Sequence, residues 1–353
     1  MIENYDKLEQ RWREFWNKEN HDRPIISIYS KNSEVKCADL KRPENNKDAW
    51  LDTEYQLKNF RNYMKSTHFI GEAFPVFNPN LGPDFLGALC GCEIEFGTDT
   101  SWSVPCIDDY ENFAPIKFDE KNPWWIKMCE ITKAALEDSK GDYLVGITDL
   151  HAGADGLVSL RGPGNAAFDI YDEPEKFKST VDEILPVFKE AALRLNDMIS
   201  RYQKGCTNWM GVLNPDSFWY VASCDFSCMI SPENFEEFII PELLKEFEFL
   251  PASLYHLDGP GALRHLDRLL QIEKLGGIQW VYGAGQPSAK HWIPVLKKIQ
   301  DAGKCVEVTC EPDDIVPICE NLKPEGVHLI CYTDDAETAN AIIKDAECVY
   351  GNK

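Results

Sequence analysis

Short apolar runs bounded by glycine, proline and acidic residues are followed, along most of this chain, by stretches with helical periodicity. A chain that alternates in this way folds most readily as parallel strands with helices packed across their faces. The spacing predicts strands near Pro24–Tyr29, Gly71–Val76, Asp142–Thr148, Gly205–Val212, Ala252–His256, Ile278–Tyr282, Cys305–Thr309 and Val327–Cys331. It predicts helices over Tyr5–Asn20, Asp48–Lys65, Pro123–Ser139, Pro174–Tyr202, Pro232–Phe249, Ala289–Ala302 and Asp334–Lys344. Pro123, Pro174 and Pro232 stand where a first-turn proline is tolerated, and Ser231 is placed to cap the last of these three helices. Eight strands favour closure into an α/β (β/α)8 TIM barrel, a single domain over residues 1–353. The inserted segment Asn78–Lys121, between the second and third strands, is expected to add a hairpin over the barrel mouth. There it would either shape a substrate pocket or make an oligomer contact.

Composition narrows the function. A formal net charge of -23, with no stripe of Lys and Arg, argues against a nucleic-acid partner. The opening Met1–Lys7 lacks the basic-then-apolar order of a signal peptide, and no run of about 18 apolar residues occurs. A cytoplasmic protein without membrane attachment is therefore expected. The 13 cysteines are scattered, without a disulfide framework or a paired CxxC zinc pattern, which suits reduced thiols used largely as core filler. No phosphate-cradling loop, complete dinucleotide fingerprint, G-x-S-x-G elbow or H-E-x-x-H helix is present.

In a barrel the chemistry sits at the carboxyl ends of the strands. The fifth strand ends Tyr255-His256-Leu257-Asp258-Gly259, and residues two apart share a strand face, so His256 and Asp258 can enter one site. The eighth supplies Cys331, and the three together offer N, O and S ligands to a catalytic zinc. The competing readings make His256 a satisfied polar residue, Asp258 a turn residue and Cys331 one more buried cysteine. The third strand ends Thr148-Asp149-Leu150-His151, a second same-face pair expected to orient substrate or move a proton, or else to cap structure. Arg161 can meet an anionic substrate group or a neighbouring helix. Asp225 and Gln279 are further candidate substrate contacts, with Trp102, Trp280 and Tyr282 as apolar walls.

Three segments then carry a resemblance: Arg11-Trp12-Arg13-Glu14-Phe15-Trp16 with His21-Asp22-Arg23-Pro24, Asp225–Phe235 with its Ser-Pro-Glu-x-Phe helix start, and Tyr255–Gly259. Taken together they are similar to the uroporphyrinogen decarboxylase superfamily, and more to its zinc- and corrinoid-linked methyltransferases than to the true decarboxylases. The decarboxylase signature R-Q-A-G-R-Y is absent, and the corresponding region reads Ile25-Ile26-Ser27-Ile28-Tyr29-Ser30. The resemblance implies a (β/α)8 barrel with zinc held by H-x-C and a last-strand cysteine, positions that fall on His256, Asp258 and Cys331. Asp258 stands where the family pattern has cysteine, which makes the ligand set harder. Asp149-Leu150-His151-Ala152-Gly153 is similar to the corrinoid-binding D-x-H-x-x-G, but its glycine comes one place early, so corrinoid is expected on a separate protein or free in solution. The resulting expectation is a methyltransferase of corrinoid-dependent one-carbon metabolism acting on a small-molecule substrate, with a homodimer as its assembly. A metal-free lyase or decarboxylase using Arg161, and a noncatalytic binding protein that retains the barrel, are the rivals.

Overall fold

In the computed structural model, which describes residue 2 and residues 4–351, most of the apolar runs become strands of one mixed sheet. The strands are β1 (Ile25–Lys31), β2 (Thr67–Gly71), β3 (Val76–Phe77), β4 (Glu93–Phe96), β5 (Ser101–Val104), β6 (Leu144–Val145), β7 (Tyr220–Ser223), β8 (Ser253–Asp258), β9 (Gly277–Val281), β10 (Cys305–Cys310) and β11 (Val327–Thr333). Seven of them pair in the order β2-β1-β11-β10-β9-β8-β7. All these neighbours are parallel except β2, which runs antiparallel to β1. β3 and β6 form a second, parallel pair, and an isolated bridge from Ile147 to Asn208 continues the line of β6. The protein is thus α/β with a mixed sheet, and among the described residues these pairings do not join into a ring. β7 is buried along its whole length and β10 nearly so, as expected when helices cover one side of a strand and packed side chains the other.

Three strands differ from expectation, and one of them, Asp142–Thr148, shortens to Leu144–Val145 with a single bridge at Ile147 beyond it. Gly71–Val76 is mostly the turn between β2 and β3, where Gly71 adopts φ 70° and an added Cβ would come within 2.1 Å of the Ile26 carbonyl oxygen. Gly205–Val212 holds only isolated bridges, because Gly205 and Gly211 take left-handed conformations, and the strand that pairs with β8 is Tyr220–Ser223. Both stretches are apolar, and periodicity cannot choose between them; the partner strand does.

The helices follow their sequence signals closely. Pro123–Ser139 and Pro174–Ser200 begin at their prolines, and Ser231 Oγ accepts from Asn234 N at 3.2 Å. The stretch expected as one helix over Asp48–Lys65 is broken at Asp52, whose carboxylate caps Thr53–Lys65 by accepting from Tyr55 N at 2.9 Å. Pro232–Phe249 is also divided. Pro241 has no N–H to give the Glu237 carbonyl, and the turn over Phe235–Ile239 widens to the π form before the helix resumes at Ile240. The insert does contain a hairpin, β4–β5, packed against the helices Asn46–Leu51, Phe85–Leu89 and Gly153–Arg161. Among the described residues no helix is long and apolar enough to cross a membrane.

One hydrophobic core runs from Leu8 to Ala346. The amino-terminal helix Tyr5–Asn17 buries Leu8, Trp12 and Phe15, and its attachment to the sheet is ionic as well as apolar. Glu72 takes two 2.7 Å bonds from Arg23, accepts from Ile26 N at 3.0 Å and lies 3.3 Å from Arg11 Nε, so the start of β1 is pinned beside the end of β2. Glu246, on Ile240–Phe249, is buried behind the site described below. Burial first, and then the charge of Asp155, raise its pKa from 4.5 to about 8. The folded protein therefore holds a proton that unfolding releases, and this group's contribution falls as pH rises from 4.5 to about 8. Glu246→Gln should remove that share of the slope, about 1.4 kcal/mol per pH unit for one proton. Denaturant unfolding should find the variant close to the parent at the acid end of this window and more stable at its alkaline end.

Candidate functional site

β7 delivers the chain to Cys224 and then to a tight turn over Asp225–Met229, while the adjacent β8 ends at Asp258. Alternation along β8 places Leu254, His256 and Asp258 on one face. Asp225, His256 and Asp258 each offer a ligand atom within 4.8 Å of the other two, with Asp225 Oδ1 3.9 Å from His256 Nε2. Among the described residues, Asp225 Oδ1 is buried and has no hydrogen-bond partner. Burial first, and the charge of Asp225 second, push the Asp258 carboxyl up, while His256 holds it down.

Asp225 belongs equally to a second cluster with His151 and Asp155, again within 4.8 Å. Asp155 fixes the turn, since its oxygens accept from Asp225 N at 2.8 Å and Phe226 N at 3.0 Å. Burial and then the Asp225 charge raise it to about 6, against the pull of His151 and of those two amides. His151 Nε2 lies 3.1 Å from Asp149 Oδ1. Burial lowers the His151 pKa, but Asp149 beside it, with Asp155 and Asp225 beyond, outweighs burial and sets it at about 10. His151 is therefore an imidazolium at neutral pH, able to orient an anion or give up a proton rather than to take one.

Trp209 stands between the two histidines, its ring centroid 5.5 Å from that of His256 and 6.2 Å from that of His151. It also lines a cavity of about 190 Å³ with Met210, Tyr29, Ile330, Tyr332 and Asn78. Tyr63 and Asn78 belong in turn to a larger hollow of about 620 Å³ walled by Trp50, Phe60 and Phe77. Asn78 Oδ1, Thr148 Oγ1 and Asn208 Nδ2 are buried without partners among the described residues, and such atoms are where a polar ligand or water would bond.

The structure thus joins His256 to Asp258 and Asp149 to His151, and it makes Asp225 the group common to both clusters. It does not bring Cys331 to them. His328, Ile330 and Tyr332 share one side of β11, so Cys331 faces the other, beside Cys310, Glu311 and Asp314, where burial pushes its thiol up to about 11. Trp280 and Tyr282, by the same alternation, lie on the Cys331 side of the sheet, away from His256. Trp280 is buried against Trp292 at 5.1 Å between ring centroids, and Tyr282 has Cys310, Asp314 and Glu311 for neighbours. Gln279, of the opposite parity, faces His256 and bonds to its Nδ1. Trp102 lies exposed on the β4–β5 hairpin, bonded to Glu95 at 3.0 Å. Arg161 is consumed by Asp169, at 2.7 and 3.1 Å, and by the carbonyl oxygens of Ile107 and Asp108. Trp209 and Asp155 were not anticipated. Asp155 lies in the first turn of the helix Gly153–Arg161, four residues beyond His151, and Trp209 falls in the stretch expected to be a strand.

No protein-family model matches this chain, and no curated protein matches it.

The Asp149–His151 pair is open to direct measurement. Asp149→Asn should drop the His151 pKa by more than one unit, since it removes the nearest opposite charge. An NMR pH titration of the histidine ring protons in parent and variant reads the change.

Proposed function

We propose that the chain is a metal-dependent enzyme of the (β/α)8 type that activates a small polar substrate at Asp225, His256 and Asp258. The reading rests above all on Asp225 Oδ1, a buried carboxylate oxygen with no partner, placed 3.9 Å from the imidazole nitrogen of His256. Two groups that both attract cations, set this close with Asp258 beside them, form a nitrogen-and-oxygen ligand set. Zinc, with bonds of about 2.0–2.2 Å to such ligands, fits this set after small side-chain adjustments, as do harder divalent ions. When bound, such an ion would polarise a substrate heteroatom as a Lewis acid and lower the pKa of its proton. The protein's own groups would divide the remaining work. Asp155 holds Asp225 in place through the turn amides, the His151 imidazolium meets negative charge on the substrate, and Trp209 packs against its apolar part.

The barrel assignment is supported by the count of strands. β1, β3, β6, β7, β8, β9, β10 and β11 make eight, each with only parallel neighbours among these, and the Ile147–Asn208 bridge extends the shorter pair. Taken with the resemblance to the uroporphyrinogen decarboxylase superfamily, the reaction we propose is methyl transfer between a corrinoid, carried by a separate protein or free, and the activated substrate. A lyase that clamps a carboxylate through Arg161 loses support, because Asp169 already occupies that guanidinium.

Zinc competition against a chromophoric chelator tests the site. The metal-stripped chain should take up one equivalent. Asp225→Asn should weaken binding by more than about 100-fold, since even partners one shell out typically account for about 10–100-fold, and Cys331→Ser should leave affinity unchanged. Loss of binding in Cys331→Ser would return the site to a thiolate design. Anaerobic loss of methylcob(III)alamin absorbance, with 2-mercaptoethanol as acceptor probe and only in the zinc-loaded protein, would support methyl transfer.

A further inference from the structure

Beneath the site a row of polar side chains crosses the sheet at one level. Strand register sets His256 opposite Gln279, Gln279 opposite Glu307, and Glu307 opposite His328, on β8, β9, β10 and β11 in turn. The hydrogen bonds follow the row. His256 Nδ1 meets Gln279 Oε1, Gln279 Nε2 donates to Glu307 Oε1 at 2.7 Å, His328 Nδ1 lies 3.0 Å from Glu307 Oε2, and His328 Nε2 lies 3.0 Å from Ser27 Oγ. Glu307 is fully buried and His328 is 1 % exposed, so each must find its partners within the protein.

We infer that Gln279 and Glu307 are positioning residues that hold His256 in the tautomer with its proton on Nδ1, which turns the Nε2 lone pair toward Asp225. An amide alone cannot do this, because a glutamine can offer either its oxygen or its NH2 group to an imidazole. Glu307 removes the choice. A carboxylate accepts only, so Gln279 must present its NH2 to Glu307 and its carbonyl oxygen to His256. A carbonyl oxygen also accepts only, and the proton of a neutral His256 is therefore required on Nδ1. Nε2 is left bare, 3.9 Å from the unpartnered Asp225 Oδ1, and the pair faces a cation or a substrate proton with two acceptors. Glu307 is itself held at its second oxygen by His328, whose ring is packed against Trp12 at 4.7 Å and Phe15 at 6.2 Å. The row ends at Ser27, which is 2 % exposed, so it is built to orient His256 and not to carry protons to solvent.

This inference deepens the metal-site reading without needing the metal, since the tautomer exists in the metal-free chain. Nitrogen NMR of the isotope-labelled histidines at about pH 8, above the ordinary imidazole range, with His256 assigned by its absence in His256→Gln, should show a protonated Nδ1 and a bare Nε2. A proton on Nε2 of the unaltered protein would overturn the inference with no variant needed. Glu307→Gln replaces a pure acceptor by a group that can also donate, which frees the Gln279 amide to turn. His256 should then become a mixture of tautomers, and zinc affinity should fall by about 10–100-fold. Gln279→Met, which removes the acceptor while leaving Glu307 in place, should give the same mixture and serves if Glu307→Gln does not fold. A pure Nδ1-protonated His256 in whichever of these variants folds, with unchanged zinc affinity, would refute the assigned role. A parent chain that binds no zinc but keeps the Nδ1 proton would sink the metal reading and leave this inference standing.

Discussion

Four polar side chains bonded in one row across four parallel strands, Glu307 and His328 fully buried and His256 and Gln279 half-buried, form the constraint on which the rest of this structure depends. A buried carboxylate or imidazole is costly unless it is bonded, and here each member of the row is the partner of the next. A slip of one residue in any of β8 to β11 would turn that strand's polar residue out of the row, and in β9, β10 or β11 it would face Glu307 or His328 with an apolar neighbour. The row therefore favours a single register. Through that register it also fixes where His256 and Asp258 emerge at the end of β8, and so where the candidate site lies.

Above the row the electrostatics reverse. Asp149, Asp155, Asp225 and Asp258 gather around two histidines, and burial first, with the charge of Asp225 second, raises Asp155 and Asp258. The protein offsets the carboxylate charge unevenly. Asp155 is given two backbone amides, Asp149 is given the His151 imidazolium, and Asp225 Oδ1 is given no hydrogen bond among the described residues, with His256 Nε2 3.9 Å away. Negative charge left over in a half-buried pocket favours a cation or a protonated substrate, and the metal-site proposal rests on that excess.

Much of the fold was legible in the chain because its signals are local. Prolines at first turns, Ser231 as a cap and the apolar runs of β8 to β11 need no knowledge of distant residues, and each appears close to its expected place. The failures have a common cause. Gly205–Val212 and Tyr220–Ser223 are both apolar, and only pairing with β8 distinguishes them. The break at Asp52 and the wide turn before Pro241 depend on which carbonyls lose their donors, a matter of hydrogen bonds that apolar periodicity does not report.

The same division runs through the site. The sequence by itself determined that His256 and Asp258 share a face, because alternation along β8 puts residues two apart on one side, and it kept Asp149 and His151 close by their spacing of two, although β6 ends at Val145 before them. Tertiary structure decided everything that joins different strands. It placed Asp225 between the two pairs, sent Cys331, Trp280 and Tyr282 to the outer side, gave Arg161 to Asp169, and aligned Gln279 with Glu307. Parity is the physical reason. Along a strand, neighbouring residues point to opposite faces, and which face becomes the site is set by the polar row and the helices packed against the sheet, none of which is local to the residues concerned.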